Sequence, residues 1–144
     1  MSVTCVDGTR RTFSSSEQAL MCQKALSMGD TATAESIVRA TTPAECKRLG
    51  REVSPYDDAK WASVRYDIMV AILWAKFSQN SRLGAELVGT GNAVLAEASP
   101  TDCCWGIGVG VADAQAGVAW RGANLLGRAL MHTRDRLALV MNSQ

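Results

Sequence analysis

Apolar residues recur at steps of three and four along most of the chain, which is the period of helices with one buried face. The longest such stretch is DDAKWASVRYDIMVAILWAKFSQ, where Trp61, Val64, Arg65, Ile68, Ile72, Ala75 and Lys76 fall on one side. Arg65 interrupts that apolar face. Ahead of it, SSSEQALMCQKALS opens a helix in which Ser14-x-x-Glu17 has capping-box spacing, with Ser15 and Ser16 as alternative caps. Leu20, Lys24 and Ser27 share a stripe with Glu17, while Ala19, Cys22 and Leu26 lie nearer the opposite side. Gly29 ends this helix, and Asp30 is placed to cap the next, DTATAESIVRA. TTPAECKRLGR gives a short third helix, with Thr42 as cap, Pro43 in the first turn, Glu45 completing a box and Gly50 as the stop.

The N-terminal piece reads as extended, with a turn at Asp7-Gly8. After the long helix, SRLGAELVGTG is a helix stopping at Gly89 and Gly91, and AVLAEAS reads as a short strand. GANLLGRALMHTRDRLALV closes the chain as an amphipathic helix. No repeat, low-complexity run or Pro/Gly/Ser-rich linker divides the sequence. The pattern predicts a mainly α fold: a single compact helical domain over residues 1–144 with a few short β-strands.

With 144 residues the chain has the length of one ordinary domain. Its 15 Lys and Arg against 14 Asp and Glu leave a net charge of +1. That excludes a strongly basic nucleic-acid binder driven by counterion release, but not a pocket for one modified nucleotide. No apolar run approaches the roughly 18 residues of a membrane span. The N-terminus shows no apolar core ahead of a small-residue cleavage site, so the chain is expected inside the cell, in cytoplasm or nucleus, without membrane contact. Five cysteines with no CxxC spacing point to reduced thiols used in packing. One histidine and scattered cysteines do not supply the roughly four grouped ligands of a zinc site, and no metal or cofactor is expected.

Two segments invite a chemical reading. GTGN and GIGVG match neither a P-loop nor the dinucleotide fingerprint, so their glycines imply tight turns or close backbone approach. His132, which any histidine-dependent triad would need, lies late in the last helix beside Arg134 and Arg136 and reads as a solvated or half-buried residue.

Taken in order, SSEQALMCQKAL, PAECKRLGR, KW…R…M…AILWAKFSQN, LVGTGNAVLAEASPTDCCWGIG and WRGANLLGRALMHTRDRL resemble the NADAR family, named for its association with NAD and ADP-ribose. The resemblance runs from about Thr12 to Leu139. It implies a small helical glycosidase-like fold and cleavage of N-glycosidic bonds. One branch of the family hydrolyses phosphorylated riboflavin-pathway intermediates, and another removes ADP-ribose from guanine bases.

Cleaving such a bond builds positive charge at the ribose C1′ and ring oxygen, which calls for a nearby carboxylate and an acid to protonate the leaving nitrogen. The resemblance assigns the carboxylate to Glu17, whose alternative role is that of a capping residue. It places Lys24 on the same helix, to hold a phosphate, to tune Glu17, or to attack ring-opened ribose as an amine. Asp102 takes the place of the family's acid before the tryptophan, where it could orient ribose hydroxyls or instead cap a turn. Trp61 and Trp105 are candidate stacking walls or core residues, and Arg65 is the candidate for pyrophosphate. Gly106 belongs to the Trp-Gly pair, and Gly122 and Asn124 open the last helix, where backbone amides would meet a phosphate.

PTDCCWGIGVG thus reads as the wall of a nucleotide pocket. The sequence departs from the family at Ile107, where some members carry an acid, with Asp113 as a differently spaced substitute. It departs again upstream, where SVTCVDGTRRTF stands in place of an aromatic-rich SNF-like segment. The expected function is removal of ADP-ribose from ADP-ribosylated guanine in nucleic acid or nucleotides. The alternatives are an N-glycosidase on riboflavin-pathway or other nucleotide metabolites, and a non-catalytic ADP-ribose-binding module.

Overall fold

The structure is a computed structural model that describes residues 1–144. The chain divides into two compact units, Met1–Gln79 and Asn80–Gln144.

The first unit opens with strands β1 (Ser2–Thr4) and β2 (Arg10–Thr12), paired antiparallel with Val3 opposite Arg11. The turn between them closes through the Cys5 amide donating to Thr9 O at 2.7 Å, with Gly8 at φ 81°. Four helices follow: α1 (Ser16–Ser27), α2 (Thr31–Arg39), α3 (Pro43–Gly50) and α4 (Asp58–Ser78). Helix α1 packs against α2, α3 and α4, and β1 lies on α4. Ala19, Cys22 and Ala25 of α1 have no exposed surface, nor do Ile37 of α2 and Ile72 of α4. Two buried glutamines fasten α1 to its neighbours. Gln23 accepts the Val6 amide of the hairpin at 2.8 Å, and Gln18 donates to Ile37 O and Val38 O at the end of α2.

The caps expected of Asp30 and Thr42 form, accepting from Thr33 N and Glu45 N. The start of α1 settles on Ser15, whose hydroxyl accepts the Gln18 amide at 3.1 Å. The box is completed by Gln18, which accepts the Ser14 amide at 2.8 Å, and so it is not built by Glu17.

The second unit contains α5 (Ser81–Gly89), the five-residue α6 (Val111–Gln115) and α7 (Leu125–Met141), with α5 packed on α7. The sequence pattern gave no sign of α6. The strand expected over AVLAEAS does not form. Its backbone is held by individual groups rather than by a partner strand: Asn124 Nδ2 donates to Leu95 O, Asn124 Oδ1 accepts from Glu97 N, and Ile107 N donates to Glu97 O. Arg134 of α7, 6% exposed, ties down the preceding turn by donating to Ala93 O and Thr90 Oγ1.

Candidate active site

Within the first unit, α1 carries Glu17 in its first turn and Lys24 in its last. The positive end of the helix favours an ionised carboxylate at Glu17. The bonds at the helix start are made by Ser15 and Gln18, so the Ser14–Glu17 box does not form. The Glu17 charge reaches Lys24, which it favours in the protonated form, and also Cys46 of α3.

Lys24 is half-buried. Its Nζ donates to Gly50 O at 2.8 Å and lies 4.8 Å from the centroid of the Tyr56 ring. Burial pulls its pKa below the ordinary lysine value, the Arg51 charge adds to that, and Asp58 and Glu17 oppose it. The sequence pattern does not mark Tyr56, Gly50 as an acceptor, or Arg51. The one available signal was an aromatic residue among turn formers, in SPYDD ahead of α4.

On α4, Trp61 is 6% exposed, so little of its ring is open to a ligand as placed. Arg65 is half-buried, and its Nε is buried without a hydrogen-bond partner. A guanidinium N–H left without an acceptor in the interior is costly and asks for one. The Arg65 charge also reaches Tyr56, where it partly offsets the upward push on the phenol from burial and from Asp58.

Within the second unit, Asp102 Oδ1 accepts the amides of Cys104 and Trp105, both at 2.9 Å. This is a turn cap, and it leaves Oδ2 outside the turn. The half-buried Trp105 is thereby fixed at its backbone. Gly106 is required by close approach: a Cβ there would stand 2.8 Å from Asp102 O and 2.9 Å from Glu97 O. Gly108, at φ 72°, needs the freedom only glycine has, and a Cβ would meet Cys103 Sγ at 2.8 Å.

At the start of α7, where a phosphate is expected, four amides are already engaged. The amides of Ala123, Leu125, Leu126 and Asn124 donate to the carbonyls of Cys103, Cys104, Trp105 and Gly106, at 2.8, 3.1, 3.1 and 3.0 Å. The donors that would cradle an anion are consumed by the PTDCCWG loop. Gly122 is scaffold, since its own amide donates to Ile107 O and a Cβ there would collide with Gly106 O and Cys103 Cα. Asn124, 3% exposed at φ 52°, spends its side-chain amide on Leu95 and Glu97. Both residues shape the loop.

The cysteines divide. Cys5, Cys22 and Cys46 are buried, and burial pushes the Cys22 thiol up to about 12, whereas Cys103 is exposed and corrects the expectation that all are packing. No three His, Cys, Asp or Glu side chains cluster closely enough to hold a metal ion. His132 is exposed on α7. Ile107, at the position of the family's acid, is 1% exposed, and Asp113 stands exposed on α6. No helix is long and apolar enough to cross a membrane.

Several known proteins are similar to this chain. Protein irg-1 of Caenorhabditis elegans is 40% identical over 129 residues, which are 87% of this chain and 61% of that protein. N-glycosidase R617 of Acanthamoeba polyphaga mimivirus is 38% identical over 128 residues, 85% of this chain and 74% of R617. The NMR structure of the Escherichia coli protein YbiA matches with a TM-score of 0.77 at 31% identity, covering all of this chain and 77% of YbiA. The family described as the NADAR domain matches residues 2–138. With that span, and with relatives this similar over most of its length, the chain belongs to the NADAR domain family.

Proposed function

We propose that this protein is an N-glycosyl hydrolase that removes ADP-ribose from ADP-ribosylated guanine. The observation that carries the reading is the placement on α1 of a carboxylate, Glu17, whose charge acts on a partly desolvated amine, Lys24. That a relative as similar as R617 is named an N-glycosidase supports the bond type.

In this reading Glu17 lies against the ribose carbon on which positive charge develops. The C1′–N bond breaks, its electron pair leaves with the guanine nitrogen, that nitrogen takes up a proton, and water adds to C1′. Lys24 serves either by holding a phosphate as an ammonium or, once neutral, by attacking C1′ of ring-opened ribose to give an imine that water then releases. Arg65, with its unpaired buried Nε, is the group for the pyrophosphate. Within the second unit, taken by itself, we propose Asp102 Oδ2 and the Trp105 ring as groups that contact a ligand. Ile107, buried where some relatives carry an acid, weighs against a mechanism that depends on an acid there.

The test is release of ADP-ribose from a single-stranded DNA oligonucleotide carrying ADP-ribosylated guanine, with Glu17→Gln in parallel. Release by the native chain that collapses in the variant is the expected result. No release, with ADP-ribose still bound, would reject the assignment and direct the search to small nucleotide metabolites. A net charge of +1 leads us to expect recognition of the adduct rather than of a length of strand, so turnover should depend only weakly on salt.

A further inference from the structure

The segment between α3 and α4 is fastened at both ends of Tyr56. Ser54 N donates to Asp30 Oδ2 at 2.9 Å, at the start of α2, and Asp57 N donates to Met28 Sδ at 3.4 Å, at the end of α1. The phenol oxygen donates to Asp58 Oδ1 at 2.9 Å. The ring is therefore oriented as well as located, although the residue is 44% exposed. It faces the terminal nitrogen of Lys24 at 4.8 Å, within the range of a favourable cation–π contact, while the Gly50 carbonyl takes an N–H of the same nitrogen at 2.8 Å.

We propose that Tyr56 is a positioning residue for Lys24: its ring and the Gly50 carbonyl occupy two of the directions around Nζ and leave the remaining one for substrate. An ammonium with two N–H groups so engaged presents its third to an anion. A neutral amine with both N–H groups so engaged presents its lone pair in the same direction. The cradle thus serves either chemistry of Lys24. The charges that act on the nitrogen come from Glu17 on α1, Arg51 at the end of α3 and Asp58 of α4, and Tyr56 contributes a face rather than a charge. This inference rests on the reading that Lys24 belongs to the reactive site. Gly50 contributes through its carbonyl, which no side-chain substitution removes, so Tyr56 is the part of the cradle open to mutation.

The test needs no turnover. The full chain is incubated with ribose 5-phosphate and cyanoborohydride, and labelled lysines are located by peptide mass spectrometry. The Nζ lone pair attacks the aldehyde carbon, water leaves, and hydride from cyanoborohydride reduces the imine to a secondary amine. The exposed Lys47 and Lys60 serve as internal controls.

The native chain is expected to label at Lys24. With rates compared per neutral amine, from the pH dependence of labelling in each form, Tyr56→Phe keeps the ring and should stay within about twofold of native, whereas Tyr56→Leu should label Lys24 roughly fivefold more slowly. Lys47, Lys60 and the thermal melt should not change in either variant. Tyr56→Thr, a second variant without the ring, decides the matter if the leucine form does not fold. Native-rate labelling of Lys24 without the ring overturns the proposal. So does a loss in Tyr56→Phe as large as that in Tyr56→Leu, or absence of Lys24 labelling in the native chain. The ring effect on labelling together with no ADP-ribose release would reject the substrate and leave the cradle standing.

Discussion

Asn124 and Glu97 are joined by a hydrogen bond of 3.1 Å, from the Glu97 amide to Asn124 Oδ1, that spans 27 positions of the chain. The same side chain donates to Leu95 O at 2.9 Å, and the residue sits at φ 52°, where an L side chain other than Asn or Asp is disfavoured. Asn124→Ala should therefore lose two partly buried hydrogen bonds and add backbone strain, costing about 3 kcal/mol. Urea unfolding measures this. A loss under about 1 kcal/mol would mean that the side chain does not hold the loop.

Glu17 and Gln18 are adjacent but have separable roles. Gln18→Ala removes the completion of the cap and the donor to Ile37 O and Val38 O, and is expected to cost about 2 kcal/mol. Glu17→Gln should leave the unfolding midpoint close to native while ADP-ribose release falls by about a hundredfold or more. The reverse pattern, an unstable Glu17→Gln that still turns over, would make Glu17 structural.

Asp102 permits a similar separation. Asparagine retains Oδ1 as an acceptor for Cys104 N and Trp105 N, and alanine does not. Asp102→Ala should destabilise by about 1–2 kcal/mol, whereas Asp102→Asn should unfold like the native chain. If the second carboxylate oxygen is used on substrate, Asp102→Asn will still lose activity. Native activity in a stable Asp102→Asn would confine Asp102 to the turn.

The pH dependence follows from the direction of the Lys24 shift. The folded-state pKa lies below the ordinary 10.5, chiefly through burial and next through Arg51. Between the folded value and 10.5 the unfolded chain binds the extra proton, so the contribution of Lys24 to stability increases as pH rises through that window. If the neutral amine is the acting form, the rate should rise with pH through the folded value. Arg51→Ala removes a repulsion and should move that rising limb to higher pH. A limb that stays in place in Arg51→Ala would assign it to another group.

The helical part of the fold was legible because its signals are local. Asp30 and Thr42 cap where their spacing said they would, and the apolar stripe of α4 predicted burial of Ile68 and Ile72. Periodicity failed where the backbone is satisfied by distant side chains. AVLAEAS reads as a short strand, yet its partners are the side-chain amide of Asn124 and the amide of Ile107, and neither is marked in the segment itself. Glu17, Lys24 and Arg65 were nominated by family motifs in the sequence. Tyr56 was not, because its importance comes from a ring placed over an amine 32 positions earlier, and no spacing rule links a turn residue to a helix that far away.

The four carbonyls of Cys103 to Gly106 end on the amides that open α7. The Trp105 segment has no secondary structure of its own, yet it cannot swing away without unravelling the first turn of α7, and that helix cannot fray at its start without releasing the loop. The two must open together, so their mobility is set by the stability of a helix rather than by the softness of a glycine-rich turn. The loop bearing Asp102 and Trp105 therefore keeps its shape without help from a partner, and were a ligand to use it, little ordering entropy would remain to be lost there.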